Sequence, residues 1–401
     1  MSNVYLARQP IFDKNYQLHG YELLYRDGDK SFANFESEEL ATSRLILSSV
    51  IDIGLEKLIA EHQCFINIDA ENLNDIENLP MDDNRITLEI NIPLAFTETQ
   101  INSLKLLKSQ GYKLAINDFR PDNMPESDLT YFDYLKCNSA ELDHESLKVA
   151  KQIAKQNQCK AVASHIEYYE QIPELTELGF DYYQGYFLSK PDTSKKTALP
   201  TTLLTVVQTL ARILDPKLEI DELKQLISSD VSLSYRVLKL LNSAQYNTAN
   251  EIDSIDHAIV YLGREALKNL SIIIILTGID NKPSELTKLA LIRAKMCEIL
   301  ARQFQMTNLS SYFAVGLLSV LDAMLDQTMP DVLNKIPLSE ELKAALISHE
   351  GIKGQTLQCV LEYEECRLAK INFATLESSE LTGYYLEATE WADETFKGLS
   401  L

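Results

Sequence analysis

One rhythm constrains this chain more than any other property: it holds for about half the length and then stops. Short runs rich in β-branched and aromatic residues recur as "CFINID", "RITLEIN", "YKLAIND", "FDYLKCN", "CKAVASH" and "FDYYQGY". Between them lie helix-period stretches such as "TETQINSLKLLKSQG" and "ESLKVAKQIAKQNQ". In the second stretch Leu147, Ile153 and Ala154 fall on one face, with lysines opposite. Strand followed by helix implies a parallel sheet, because parallel neighbours need a crossover. So many units in so short a length predict a closed (β/α) barrel rather than an open sheet. The opening, "VYLARQPIFDKNYQLHGYELLYR", breaks the rhythm and reads as two strands around the turn "DKNY".

The rhythm ends at "LSKPDTSKKTALPTT", a joint marked by proline and small polar residues. Beyond it the strand signal fades. "IDELKQLISSDVSLSYRVLKLLNSAQY" reads as two helices, with Asp230 as the N-cap of the second. "LTKLALIRAKMCEILARQF" places Leu289, Ile292, Met296, Leu300 and Phe304 on one face. The expected architecture is an α/β barrel over residues 1–191, a linker over 192–199, and an all-α bundle over 200–401.

Charge and composition exclude several functions. The formal net charge of −22 opposes wrapping a polyanion, so nucleic acid is not an expected partner. The longest apolar run, Ile272 to Leu276, is far short of the roughly 20 residues of a membrane span. The N-terminus has no basic cluster followed by an apolar run. None of the six cysteines forms a C-x-x-C pair, which fits reduced thiols and a cytoplasmic protein.

In a (β/α) barrel the reactive groups sit at the C-terminal ends of the strands. Those ends carry Glu22 and Arg26, Asn67, Glu89, Asn117 and Asp118, Lys136, Ser164 and Gln184. A single strand-end Asn or Asp is usually a turn former or a cap. As a set, Glu22, Asn67, Glu89 and Asp118 are four oxygen ligands suited to a hard cation such as Mg²⁺ or Mn²⁺. Lys136 and Arg26 could meet a phosphate there.

These motifs resemble the EAL-domain phosphodiesterases, which cleave the bacterial second messenger cyclic di-GMP to the linear dinucleotide. The likeness spans roughly Val4 to Pro191. "ARQPIFD" is similar to the family's opening, and "GYELLYR" stands where its Glu-Ala-Leu signature belongs. The resemblance implies a metal-ligand role for Glu22, Asn67, Glu89 and Asp118. It implies a substrate role for Arg26 and Gln184, and catalysis by Lys136 if the site is active. It also implies pairing of barrels into a homodimer.

Departures from the family pattern bear on activity. Asn117 replaces the first of two consecutive aspartates, the one that lies between two metals in the family. Ser164 replaces a glutamate tied to activating water, although Glu167 survives nearby. Asn138 replaces an aspartate, Ile92 a loop-organising glutamate, and Arg120 a glycine. Two divalent cations about 4 Å apart repel by roughly 17 kcal/mol at an effective dielectric of about 20, and carboxylates must offset this. Asn117 carries no formal charge to do so. The expectation is a degenerate site with little or no hydrolysis and room for one Mg²⁺ or Mn²⁺. A slow one-metal enzyme is the alternative.

The second half resembles the HDOD domain, a helical relative of metal-dependent HD phosphohydrolases. "SSDVSLSYRVLKLLNSAQY" followed by "SIDHAIVYLGREALKNL" carries the likeness. Ser319 and Val320 stand where the hydrolases have His-Asp. That implies a protein-interaction module. Asn242 reads as structural, His349 as a helix-terminal residue, and Tyr384, Tyr385 and Trp391 as packing for the last helix. Together the two resemblances imply a cytoplasmic regulator in cyclic di-GMP signalling, acting on the choice between motility and attached biofilm growth. A scaffold that binds no nucleotide is a further alternative.

Overall fold

The computed structural model describes residues 4–27, 54–70, 73, 84–91, 96–123, 129–192, 201–243, 245–246, 248, 251–279, 282–367, 370–371, 373 and 378–399. The chain divides into two compact units. One comprises Met1–Leu188 with Glu377–Thr382, and the other Ser189–Leu376 with Gly383–Leu401.

The first unit is a closed barrel of eight strands. They are β1 (Val4–Asp13), β2 (Leu18–Asp27), β3 (Gln63–Ile68), β4 (Ile86–Asn91), β5 (Lys113–Asn117), β6 (Tyr134–Asn138), β7 (Lys160–Ser164) and β8 (Tyr182–Gln184). Each of the six alternating runs becomes a strand, and the opening becomes the β1–β2 hairpin. Neighbours from β2 to β8 are parallel. β1 runs antiparallel to both β2 and β8 and so closes the cylinder.

Among the intervening helices, Glu98–Ser109 opens with a capping box between Thr97 and Gln100. His144–Gln156 is capped by Asp143, which accepts from the Ser146 amide at 2.8 Å. It buries Leu147, Ala150 and Ala154.

Strand side chains alternate, so every second residue points into the barrel. Ile11, Phe65, Ala115, Tyr134 and Val162 fill its middle, with Tyr182 packed against them. His19 stacks on Tyr182 at 4.0 Å and hydrogen-bonds the Tyr134 hydroxyl at 3.2 Å. Two residues further along several strands, the inward positions become polar. That change marks the candidate site.

The chain leaves β8 through Gly185, which has φ 152. A Cβ there would lie 2.0 Å from the Ile166 carbonyl oxygen. The tight crossing is held by the Ile166 amide donating to the Gln184 carbonyl and the Phe187 amide donating to the Ile166 carbonyl, at 3.1 Å each. Gln184 is thereby fixed at the end of its strand.

The second unit is helical. Asp230 caps Val231–Leu241 by accepting from the Leu233 amide at 3.0 Å. Asn242 donates to the Leu238 and Ile252 carbonyls and accepts from the Ile252 amide, tying a helix end to the next segment as its polarity predicts. Ser284–Gln303 is buried on more than the one face its spacing implies. Ile292, Met296 and Leu300 are buried, as are Leu286, Ala290, Leu291, Ala294 and Cys297. Leu289 and Phe304, expected on the same face, are only half-buried. A helix at the centre of a bundle is covered from several sides, so a single-stripe reading is too narrow. Tyr385 packs at a tilt against Tyr363, with ring centroids 5.2 Å apart, and Trp391 meets Phe313 edge-on at 5.7 Å. Among the described residues no helix is long and apolar enough to cross a membrane.

Gly185→Ala is expected to destabilise the barrel by about 1–3 kcal/mol through overpacking. Gly111→Ala, where nothing lies within 4 Å, is expected to cost less. Urea midpoints of the two variants measure the difference.

Candidate functional site

Five strands each deliver a polar group to one end of the barrel; four of the groups are buried and Asn67 is half-buried. Glu22 comes from β2, Asn67 from β3, Glu89 from β4, Lys136 from β6 and Gln184 from β8. Lys136 Nζ donates to Glu22 Oε2 at 2.6 Å and to Glu89 Oε2 and Oε1 at 2.9 and 3.1 Å. Lysine has three donors, and all three find acceptors here. Glu22, Glu89, Lys136 and Gln184 are 5%, 1%, 3% and 1% exposed, so water screens these charges little. Asn67 Nδ2 donates to Glu22 Oε1 at 2.5 Å, and Gln184 Nε2 donates to Glu22 Oε2 at 2.5 Å. Gln184 Nε2 also reaches Gln9 Oε1, on β1, at 2.7 Å.

The electrostatics separate the two carboxyl groups. Burial alone would raise Glu22, but the Lys136 ammonium and the bonds from Lys136, Gln184 and Asn67 outweigh it and bring the pKa down to about 2. Burial raises Glu89, the Glu22 charge raises it further, and Lys136 only partly offsets them, leaving it at about 8. Burial disfavours the Lys136 charge, yet the two carboxylates raise its pKa overall. The two carboxyl groups are therefore unequal: Glu22 holds its charge the more readily and Glu89 the less, with the Lys136 ammonium between them.

Amides surround this centre on the side of the strand ends. Asn117 Nδ2 donates to Asn67 Oδ1 and to Asn91 Oδ1, each at 3.1 Å. The register that sets Asn91 beside Asn117 produces the second bond. Asp118 stands outside the buried group: it is exposed, one residue past β5, with φ 52. Its charge adds to burial in pushing the Cys137 thiol up to about 12.

Two of the remaining sequence-predicted positions, Ser164 and Asn138, serve the chain's own backbone or turns. Ser164 is buried and donates to the Cys137 carbonyl at 3.1 Å. Asn138 accepts from the Ala140 amide and donates to Glu141, which also pairs with Arg120. Arg26 lies in β2 opposite Tyr5, and its side chain lies outside the described residues. Ile92 also lies outside them.

Residue-by-residue inspection of strand ends overlooks Gln9 and Asn91. Gln9 sits opposite Glu22 in the hairpin register, and Asn91 is two positions beyond Glu89 on the same face. Gln184 Oε1 is buried and finds no donor among the described residues.

The residues present do not fit a pair of divalent cations. Such a centre needs carboxylates that flank and bridge the metals. Asn67 turns an N–H toward Glu22, and Asn117 spends its own N–H groups on Asn67 and Asn91. Among the described residues no three His, Cys, Asp or Glu side chains are grouped to hold a metal.

In the helical unit Ser319 donates to the Gly316 carbonyl and accepts from Arg293 Nη1 at 3.4 Å. Arg293 also binds Glu364 Oε2 through Nε and Nη2, each at 2.8 Å. Burial raises the Glu364 pKa against the pull of Arg293. Val320 is fully buried. His349 ends the helix Glu340–Ser348 in the left-handed conformation, and burial lowers its pKa.

Two family models match the chain: the EAL domain over residues 2–191 and the HDOD domain over residues 199–358. Protein YuxH of Bacillus subtilis (strain 168) is 31% identical over 401 residues, covering 97% of this chain and 98% of its own length. The cyclic di-GMP phosphodiesterase CdgJ of Vibrio cholerae is 30% identical over 371 residues, covering 91% of this chain and 85% of its own. Among solved structures, the Bacillus subtilis YkuI protein, with an EAL domain and in complex with c-di-GMP and calcium, is 19% identical. It covers 65% of this chain and 72% of that one, with a TM-score of 0.36.

Two stability measurements follow from the buried group. Lys136→Ala leaves two carboxyl groups without their cation and is expected to cost about 3–5 kcal/mol in a denaturant titration. Glu89 has a folded-state pKa raised from 4.5 to about 8. Its contribution is therefore full below about pH 4.5 and is lost as pH rises toward about 8. Glu89→Gln is expected to flatten the fall in melting temperature across that window relative to the unmodified chain.

Proposed function

The chain belongs to the family of proteins that join an EAL domain to an HDOD domain, and from that premise we propose that it is a cyclic di-GMP signalling protein whose barrel holds the nucleotide without cleaving it. The helical unit then serves as the surface for a protein partner. Its output is the regulation of motility or attached growth, as the resemblance implies.

The observation that carries the non-hydrolytic reading is the hydrogen bonding of Asn117. Its N–H groups are committed to Asn67 and Asn91, at the position where a bridging carboxylate would be required. Ser164 supports the reading, because its hydroxyl is bonded to the Cys137 carbonyl and brings no carboxylate to activate water. Binding is supported by Gln184 Oε1. A buried acceptor without a donor is costly, and a ligand N–H would satisfy it. Arg26, at the same end of β2, is the residue proposed to meet a phosphate.

One observation favours a second reading, that of an active metal-dependent phosphodiesterase: the Vibrio cholerae relative carries that activity in its name. In that case Lys136 would be catalytic, and Glu22, Asn67, Glu89 and Asp118 would hold metal.

Calorimetry with cyclic di-GMP and Mg²⁺ separates the readings. The expected result is saturable heat that returns to baseline, with no linear product on chromatography. Heat that continues at a steady rate, with product, would establish turnover. No heat would leave the helical unit as the working part. The double change Asn117→Asp with Ser164→Glu is expected to raise metal-dependent hydrolysis above the unmodified chain.

A further inference from the structure

The barrel has a second polar end, at the N-terminal ends of the parallel strands. Two residues before the apolar layer the inward positions turn polar again. Gln63 precedes Phe65 on β3, Lys113 precedes Ala115 on β5, and Lys160 precedes Val162 on β7. His19 joins them through a break in the hairpin register. Ile11 pairs with Gly20 and Phe12 with Leu18, so His19 is an extra residue on β2. Strict alternation from Glu22 would turn His19 outward. A bulge re-aims a side chain, and here the ring stacks on Tyr182 at 4.0 Å and meets the Tyr134 hydroxyl at 3.2 Å.

Hydrogen-bonding capacity at this end is not spent on the fold. Lys113 Nζ donates to Gln63 Oε1, a neutral oxygen, at 2.7 Å, and pairs with no carboxylate among the described residues. Two of its three donors remain. Thr87 lies beside Lys113 in the β4–β5 register and beside Phe65 in the β3–β4 register. It is 0% exposed, yet its hydroxyl has no hydrogen-bond partner among the described residues. A buried hydroxyl left unbonded is costly. The nearby carboxylates are already engaged. Asp13 Oδ1 accepts from the Asn15 and Gln17 amides, and Asp181 is held by Lys151, Lys160 and the Ala161 amide. Burial and the Lys113 charge bring the His19 pKa down to about 4, against the pull of Asp13, so the ring does not compete as a cation near neutral pH. His19, Gln63, Lys113 and Tyr182 are half-buried, so solvent reaches this end of the barrel.

We propose that the N-terminal end of the barrel is a ligand site for a small oxyanion, whose carboxylate or phosphate oxygens meet the Lys113 ammonium and accept from the Thr87 hydroxyl. His19 and Tyr182 form its aromatic flank. A cation with unspent donors and an unbonded hydroxyl are complementary to an acceptor that carries several lone pairs. No residue at the opposite, strand-end mouth takes part, so the inference goes beyond the cyclic di-GMP reading and stands or falls without it.

The probes are acetate, benzoate and inorganic phosphate, each titrated with the full chain and followed by the line width of its own NMR signal. At least one is expected to show saturable binding at or below about 10 mM. Benzoate against acetate reads the aromatic flank, and phosphate against both separates the two kinds of oxyanion. Lys113→Met is expected to weaken the bound probe by about tenfold or more. Thr87→Val is expected to weaken it by about fivefold. Absence of saturation by all three probes would overturn the proposal. Binding retained in Lys113→Met would place the probe elsewhere and would overturn it too. Thr87→Val removes an unbonded hydroxyl and is expected to fold at least as stably as the unmodified chain. It therefore decides the matter even where Lys113→Met does not fold: an unchanged affinity in Thr87→Val would refute the site.

Discussion

An ammonium ion in the dry interior of a barrel is the interaction on which the rest of the site depends. Removing a charge from water is expensive, and the cost is recovered only when geometry and hydrogen bonds are nearly complete. Lys136 meets that condition through Glu22 and Glu89, on two other strands. Glu22 then becomes the hub. Its two oxygens accept from Lys136, Asn67 and Gln184, and Gln184 extends the network to Gln9. The polar end of the barrel is one connected unit, in which a change at any member is felt by the others.

The helical unit uses the same device. Arg293 is buried, holds Glu364 through two nitrogens, and reaches Ser319. A guanidinium fixed in charge and a single carboxylate oxygen tie the helix Ser284–Gln303 to the helix Gly351–Glu364. Each unit therefore places a side-chain cation in its polar centre.

The fold was legible because it rests on periodicity. Short runs rich in β-branched and aromatic residues between helix-period stretches located the six strands after the hairpin, and a polar joint located the change to helices. The buried residues of the helix Ser284–Gln303 were less legible, since periodicity reveals a preferred face and not how many neighbours surround it. For the site, the strand-end residues Glu22, Asn67, Glu89, Lys136 and Gln184 were found one by one, yet their mutual bonding was not. Barrel closure and stagger decide which strand ends meet, and both are three-dimensional properties. Asp118 illustrates the limit. Its place beside Asn117 in sequence suggests a shared role, but a left-handed turn after β5 leaves it exposed. Gln9 was hidden for a related reason: its partner is far away along the chain.

That distance has a kinetic consequence. The hydrogen bond between Gln9 and Gln184 spans 175 residues, and β1 needs β8 as its second neighbour. Closing so long a loop is entropically costly, and pairings of this kind slow folding. During synthesis the first strand leaves the ribosome long before the last one exists. The hairpin must wait with one edge unpaired, an exposed state that favours aggregation. Only when β8 arrives does Gln184 reach Glu22. The polar centre is therefore assembled last, and a chain that presents it has completed its barrel.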